Sequence, residues 1–397
     1  MTATTMTVTG DRTAPSLQQV SLWLLLAFVA SLQISIAAAS VLLAAVLVCW
    51  VALLVREGVR PSAPRFFVPL VLYAGMTLLS SVFSLEPATS FLDSKQLVVF
   101  LIVPAVYEIV RGRRAAGLVI DVIVTIGGAS AAYGIIQYGI LQYDSLQLRP
   151  QGALSHYMTY SGTLMLVICA AVARLVFGSR DRIWSALVMP ALVVALAVSL
   201  ARNAWVGACV AIGLLLVLKD FRLTALLPIA IAVVFALAPD SVTSRIMTMF
   251  DAQDRTNQDR FAMMEIGARI VMDDPLTGVG PNMVPKVYEQ YRPEYAVERI
   301  NPHLHNVPLQ IAAERGVPAF AVWLWFVVAL VLSLIRLFRQ DPDDRMLSGA
   351  GLAAVAAMLA AGFFEYNFGD SEFLMLFLVL VTLPFAANKD AAATSRS

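Results

Sequence analysis

Residues 23–50 read WLLLAFVASLQISIAAASVLLAAVLVCW, and no side chain in the run carries a charge. A helix needs about 20 apolar residues to cross roughly 30 Å of hydrocarbon. Inside lipid every backbone N–H and C=O must be satisfied within the segment, and a helix does this for a run of this kind. The stretch is too long for one crossing. Ser31, Gln33 and Ser40 interrupt it and mark a turn, so two helices are expected here, with their boundary near residue 37.

Runs of the same character recur along the chain. Of 397 residues, 59% are hydrophobic and 14% are charged, against about 25% charged in an ordinary soluble domain. Twelve spans are expected, at 20–36, 38–55, 66–83, 95–110, 117–141, 158–177, 184–200, 203–218, 223–238, 317–336, 346–364 and 371–387. The short alternating segments of a transmembrane β-barrel are not visible in the sequence. The expected fold class is therefore an all-α polytopic membrane protein. A net charge of +1 argues against nucleic acid as a partner. Cys49, Cys169 and Cys209 all lie in apolar runs without C-x-x-C spacing, and read as buried small hydrophobes rather than as thiolate ligands or a disulfide framework.

Orientation follows from the basic residues. The connections around 56–65, 111–114, 174–182, 219–222 and 336–345, together with the termini, hold most of the Lys and Arg. They are alternate connections, so twelve spans put them all on one side, the cytoplasm, with both termini. The segment MTATTMTVTGDRTAPSLQQV lacks the basic start and cleavage site of a signal peptide. Residues 1–19 are thus expected as a retained cytoplasmic tail, 20–238 as spans one to nine, 239–304 as a large loop on the opposite face, 305–387 as the last three spans, and 388–397 as a second cytoplasmic tail. Within the loop, residues 259–272 have a helical pattern with Phe261, Met264, Ala268 and Val271 on one face, capped by Asp259 or Asn257. Pro275, Gly278 and Gly280 end it, and a short helix near 283–292 follows. The chain shows none of the internal repeats common in transporters.

Polar residues at the membrane are the functional candidates, because an arginine at mid-bilayer costs roughly 2.5–3.5 kcal/mol on insertion scales. Arg202, in SLARNAW, stands between two apolar spans with almost no loop to carry it. It is either a snorkelling anchor or a binder of an anionic group. Arg149 and Arg260 share its face. Guanidinium takes phosphate oxygens in a bidentate, permanently charged manner. The other loop arginines, Arg245, Arg255, Arg269, Arg292 and Arg299, have acidic residues around them and read as a solvated charge mixture.

His303 and His305, in NPHLHNVPLQIAAERG, sit at the seam between the loop and the tenth span. Metal ligation, a structural role at the helix entrance and general-base chemistry all compete for this pair. H-E-x-x-H is absent and no third ligand of the right kind is nearby, so no metal and no cofactor are expected. An imidazole with an ordinary pKa near 6.5 can accept a hydroxyl proton at neutral pH. His305 is the better placed, since it precedes a segment that can enter the membrane as a helix with Gln310 and Glu314 on a shared face. Glu365, Asp370 and Glu372, in FFEYNFGDSEF, are available to hold His305 or the arginines by ion pairing.

With these residues in view, the chain resembles the bacterial O-antigen ligase family, part of a larger superfamily of lipid-linked glycan ligases and polymerases. The family pattern is His, then Asn, Ser or Gln, nine residues, Gly, two residues, and Gly, Thr or Tyr. Here His305 and Asn306 are followed by nine residues, Gly316, Val317, Pro318 and Ala319. The last position departs from the pattern while keeping a small residue. RPQGALSHYMTYSG, SLARNAW and DRFAMMEIGARIVMDDPLTGVGPN resemble further family segments in the same order.

The resemblance implies a glycosyltransferase-C-like architecture in the bacterial inner membrane, with the active site on the periplasmic face. It implies a metal-independent, inverting transfer of a glycan from undecaprenyl pyrophosphate to a sugar hydroxyl of lipid A–core. His305 then matches the family's essential histidine, and Arg202 and Arg260 its essential arginines. Arg149, Asn306, His303, Asp370 and Glu365 complete the expected surroundings of pyrophosphate and glycan. A surface-polysaccharide polymerase with the same donor is the alternative, and a transporter or flippase is the competing class. Membrane lipids are expected neighbours in every case.

Overall fold

The computed structural model describes residues 15–179, 182–251, 253–340 and 342–389. The expected tails therefore lie outside the described residues at 1–14 and 390–397. Every regular element among the described residues is helical. In chain order these are α1 (Leu17–Ser31), α2 (Ile36–Glu57), α3 (Phe67–Val82), α4 (Pro87–Asp93), α5 (Ile102–Ile109), α6 (Gly112–Gly139), α7 (Tyr157–Phe177) and α8 (Arg182–Val198). There follow α9 (Arg202–Lys219), α10 (Leu226–Leu237), α11 (Asp240–Met247), α12 (Arg255–Asp273), α13 (Val284–Tyr291), α14 (Val307–Gln340), α15 (Arg345–Gly362) and α16 (Ser371–Ala387), with short 3-10 turns between some of them. Among the described residues, seven helical segments are long and apolar enough to cross a membrane, and five shorter apolar helices accompany them. They fall on the twelve apolar segments of the sequence. The protein is a multi-pass membrane protein.

Two boundaries move for a physical reason. The first division falls at 32–35 rather than near 37, because Ser35 adopts an extended backbone (φ −160°) and its hydroxyl accepts from Ala38 N, capping α2. Gln33 is buried and donates to Ile123 O on α6 at 3.2 Å. The fourth segment starts earlier than the expected 95, with α4 at Pro87 and a 3-10 stretch over Ser94–Leu101. Its polar start is buried and satisfied. Ser90 donates to Pro281 O at 2.7 Å, and Ser94 Oγ lies 2.9 Å from Ser81 Oγ.

Helices α7 and α16 are buried along most of their length and form the centre, whereas α10 has no buried residue. Helix α9 packs between α7 and α15. A Cβ on Gly207 would stand 2.3 Å from Met165 Sδ and 2.9 Å from Ala357 O, so the backbones approach closely there. Small residues at such a contact are what lets helices associate in lipid. This contact pins α9, and with it Arg202 at its first turn.

Residues 239–304 fold over one end of the bundle. Met263, Ile266 and Ile270 of α12 pack with Met283, Val284 and Tyr288 and with Leu304. The face expected from Phe261, Met264, Ala268 and Val271 packs only at Val271; Phe261 and Met264 are 55% and 53% exposed. Helix α12 has apolar residues on two sides, and the side that packs is set by where α13 lies. The helix also begins earlier than expected, with Asp254 as its flanking residue. Asp259 instead lies inside it, accepting from Glu298 N at 3.1 Å and Asn301 Nδ2 at 3.2 Å.

Helix α14 breaks at Gly316 (φ 82°) into a short entrance helix and a long span. A Cβ on Gly316 would stand 2.2 Å from Leu276 O, because the 275–280 loop docks there through Val317 N to Pro275 O at 2.8 Å and Gly280 N to Glu314 O at 2.9 Å. The positive φ and the close approach together require glycine.

Candidate active site

Two cavities meet at the bundle end under α12. The smaller, of about 160 Å³, is lined by Arg149, Arg202, Arg245 and Arg260, with Tyr157, Asn203, Asp259 and His305 among its other walls. The larger, of about 490 Å³, has Val206, Met249, Phe261, Met264, Leu304, Phe363 and Phe364 as its apolar walls, with Asn306 and Asp251 at its polar edge. Arg202, Asn203, Arg260 and His305 line both. A cationic chamber and an apolar chamber thus share one wall, and the histidine is in it.

His305 reaches that wall through a strained backbone. Its φ of 48° lies in the left-handed region, which a non-glycine residue enters at a cost of roughly 1–3 kcal/mol and which recurs at functional sites. Two anchors hold the turn. Leu304 N donates to Gln310 Oε1 at 2.6 Å, and the Asn306 carbonyl and side-chain oxygens accept from Gln310 N and Leu309 N, capping α14. Asn306 Nδ2 also donates to Phe363 O at 3.2 Å, tying α14 to the 363–370 loop.

The same loop supplies Glu365, 7% exposed, whose Oε2 lies 2.8 Å from His305 Nδ1. Burial works against this carboxylate, yet His305 and His303 beside it hold its pKa down to about 2. An ionised carboxylate only accepts, so the neutral form of His305 carries its proton on Nδ1 and has its lone pair on Nε2. His303 stands behind His305, ring centroids 4.2 Å apart, with Nε2 3.6 Å from Glu365 Oε1. Burial pushes its pKa down to about 4 against the pull of Glu365, which leaves it neutral near pH 7.

Arg202 is 4% exposed. It donates to Thr248 O at 3.0 Å and Asp254 Oδ1 at 3.2 Å, while its Nε is buried with no hydrogen-bond partner among the described residues. Arg260 donates to Phe364 O at 3.3 Å and lies over the Phe364 ring at 5.6 Å. Arg149 donates to Leu146 O at 2.9 Å and stacks over Tyr157 at 4.1 Å. Burial and the neighbouring charge of Arg202 hold both Arg149 and Arg260 below the ordinary guanidinium value. Arg245 is 8% exposed, and its buried Nε has no hydrogen-bond partner among the described residues. Burial first, then Arg202 and Arg149, push its pKa down to about 10. Four guanidiniums crowded with few acids form a site whose self-repulsion an anion relieves.

The structure thus brings together His305, Arg202, Arg260 and Arg149 as the sequence suggests, with Asn306 on the adjoining cavity. Of the acids in 363–373, it is Glu365 that meets His305. Asp370 stands off the cavity walls, capping α16 by accepting from Phe373 N at 2.9 Å and holding the Thr159 hydroxyl. The expectation that no third ligand stands near the histidine pair is corrected, because a carboxylate 60 residues downstream folds onto it. Arg245 is the residue that sequence reasoning discounted. Its signal was local: no acid lies within four residues of it, whereas Arg269 and Arg292 pair with Glu265 and Glu289 on their own helical turns.

Residues 187–324 match the model of the O-antigen ligase family. No curated protein matches the chain. The matched region runs from α8 into α14 and includes Arg202, Arg245, Arg260, His303, His305 and Asn306, but not Arg149 or Glu365.

Proposed function

We propose that this protein, whose residues 187–324 are an O-antigen ligase domain of the lipid-linked glycan transferases, is a ligase. It moves a glycan from undecaprenyl pyrophosphate to a sugar hydroxyl of lipid A–core. In this reading the twelve apolar segments all span the inner membrane in a glycosyltransferase-C-like arrangement. Both termini are cytoplasmic, and residues 239–304 cover the site on the periplasmic face.

The observation that carries the reading is the His305–Glu365 pair, 2.8 Å apart, beside a chamber of four arginines. His305 Nε2 takes the acceptor's hydroxyl proton. The acceptor oxygen then forms the new bond to the anomeric carbon as the bond to pyrophosphate breaks, and lipid pyrophosphate departs with the electron pair. A single displacement with one base inverts the anomeric centre. Arg202 and Arg260, with Arg149 and Arg245, stabilise the charge that builds on the leaving group. Fixed donors of this kind are worth about 10²–10³ in rate each, and here they occupy the role that divalent metals have in other enzymes. Glu365 keeps His305 in the accepting tautomer and stabilises the imidazolium, as the buried acid of a catalytic triad does.

The test uses purified protein, a lipid-pyrophosphate-linked glycan and EDTA, with lipid A–core and a second lipid-linked glycan offered together as acceptors. Glycan on lipid A–core, absent with His305→Ala, is the expected result. Chain growth on the lipid-linked glycan makes the protein a polymerase with the same machinery. No product from either acceptor, with metal restored, sinks the transferase reading in favour of transport.

A further inference from the structure

His303, His305 and Glu365 each offer one ligand atom, and these atoms all lie within 4.8 Å of one another. The arrangement has a specific cause. The left-handed backbone at His305 turns the chain between its neighbours, so that two imidazoles one residue apart converge on one buried carboxylate. His305 Nδ1 is 2.8 Å from Glu365 Oε2, and His303 Nε2 is 3.6 Å from Glu365 Oε1. In a tetrahedral zinc site, metal–ligand distances of about 2.0–2.2 Å put donor atoms roughly 3.3 Å apart. The two histidine–carboxylate pairs, each to its own oxygen, lie on either side of that value, and the three ligand atoms are all within 4.8 Å of one another.

We propose that His303, His305 and Glu365 form a binding site for a transition-metal cation of the zinc type, and that occupancy switches the transferase off. The donor set selects the ion. Two imidazoles and a carboxylate suit zinc, whereas magnesium and calcium favour all-oxygen shells. Binding changes the chemistry of His305 directly. The cation replaces the proton on Nδ1, and the one proton of the neutral imidazole then resides on Nε2. The nitrogen that accepts the acceptor's proton becomes a donor. Glu365, now a ligand, no longer orients the ring. The inhibitory half of the proposal rests on His305 acting as base; the binding half does not.

The experiment is zinc titration of the purified full chain by calorimetry, without any glycan, followed by X-ray absorption at the zinc edge. One zinc per chain with two imidazoles and a carboxylate oxygen in its shell is expected. Affinity should fall at least tenfold in both His303→Gln and Glu365→Gln and be unchanged in His156→Gln, the remaining histidine of the three. Binding that survives the first two variants, or that is lost with His156, overturns the site. His303→Ala serves as a second variant if His303→Gln does not fold. Glycan transfer is then measured against zinc, each variant relative to its own rate in EDTA. Inhibition reversed by EDTA, and shifted at least tenfold in His303→Gln, is expected. Zinc that binds without inhibiting overturns the switch. Absence of transfer in EDTA counts against the transferase reading instead and leaves the metal site standing.

Discussion

His305 Nδ1 and Glu365 Oε2 meet at 2.8 Å although 60 residues separate them in the chain. The contact joins the entrance of α14 to the loop between α15 and α16. It decides which nitrogen of His305 faces the cavities, and most of the chemistry proposed here depends on it.

Glu365→Gln removes the negative charge while keeping the shape. The amide can donate as well as accept, so the Nδ1–H tautomer is no longer enforced. We expect kcat to fall by about 10²–10⁴, as when the acid of a catalytic triad is neutralised, with a smaller change in KM. Steady-state transfer to lipid A–core measures it. Turnover within a factor of three of wild type would leave Glu365 a structural residue.

Acid should destabilise the folded protein through both partners of the cluster. Glu365 has its folded pKa lowered to about 2 from an ordinary 4.5. Its stabilising contribution is therefore present above the unfolded value and lost as pH falls from about 4.5 toward 2. His303 is lowered from 6.5 to about 4. Below pH 6.5 the unfolded chain takes up a proton that the folded protein refuses until about pH 4, so stability declines across that window as well. The thermal midpoint in detergent should drop steadily between pH 7 and 4, and His303→Gln should flatten that limb. An unchanged midpoint across the window in wild type would contradict the buried geometry.

Arg245 and Arg269 both belong to the 239–304 segment but have opposite surroundings. Arg245→Ala should lower transfer by about 10²–10³, because its guanidinium faces the arginine chamber. Arg269→Ala, which loses only an exposed pair with Glu265, should change stability by no more than about 1 kcal/mol and leave transfer intact. Equal rates for the two variants would return Arg245 to the solvated charge mixture. Arg202→Lys keeps the charge and loses the planar fork, and should be strongly impaired.

Gly316→Ala forces a Cβ to within 2.2 Å of Leu276 O at a φ of 82°. The conformational strain alone costs roughly 1–3 kcal/mol, and the clash is with backbone, which has little room to yield. Loss of folded protein by size-exclusion in detergent is expected. Gly75→Ala, whose Cβ meets nothing within 4 Å in α3, is the control and should fold normally.

Much of this molecule was legible in one dimension. Apolar runs long enough for the hydrocarbon, and the bases between them, are properties of composition that lipid reads with little regard for side-chain detail. The apolar segments and the loop helices α12 and α13 could therefore be found without knowing what packs on what. The same holds for Arg202, stranded between two spans, and for a helix entrance at His305 that ends in glycine.

Only the tertiary structure decided what each charge means. The first run divides at 32–35 rather than near 37, because the Ser35 hydroxyl reaches Ala38 N. Phe261 and Met264 line a cavity instead of a core, because α13 covers the other side of α12. Arg245 joins the site while Arg269 does not, and of the three acids in 363–373 it is Glu365 that reaches His305. Periodicity and span length are set by neighbours a few residues away, so the sequence carries them. The role of an ionisable side chain is set by whichever charge folds to within a few ångströms of it, and for Arg202 and His305 those charges stand 52 and 60 residues away in the chain.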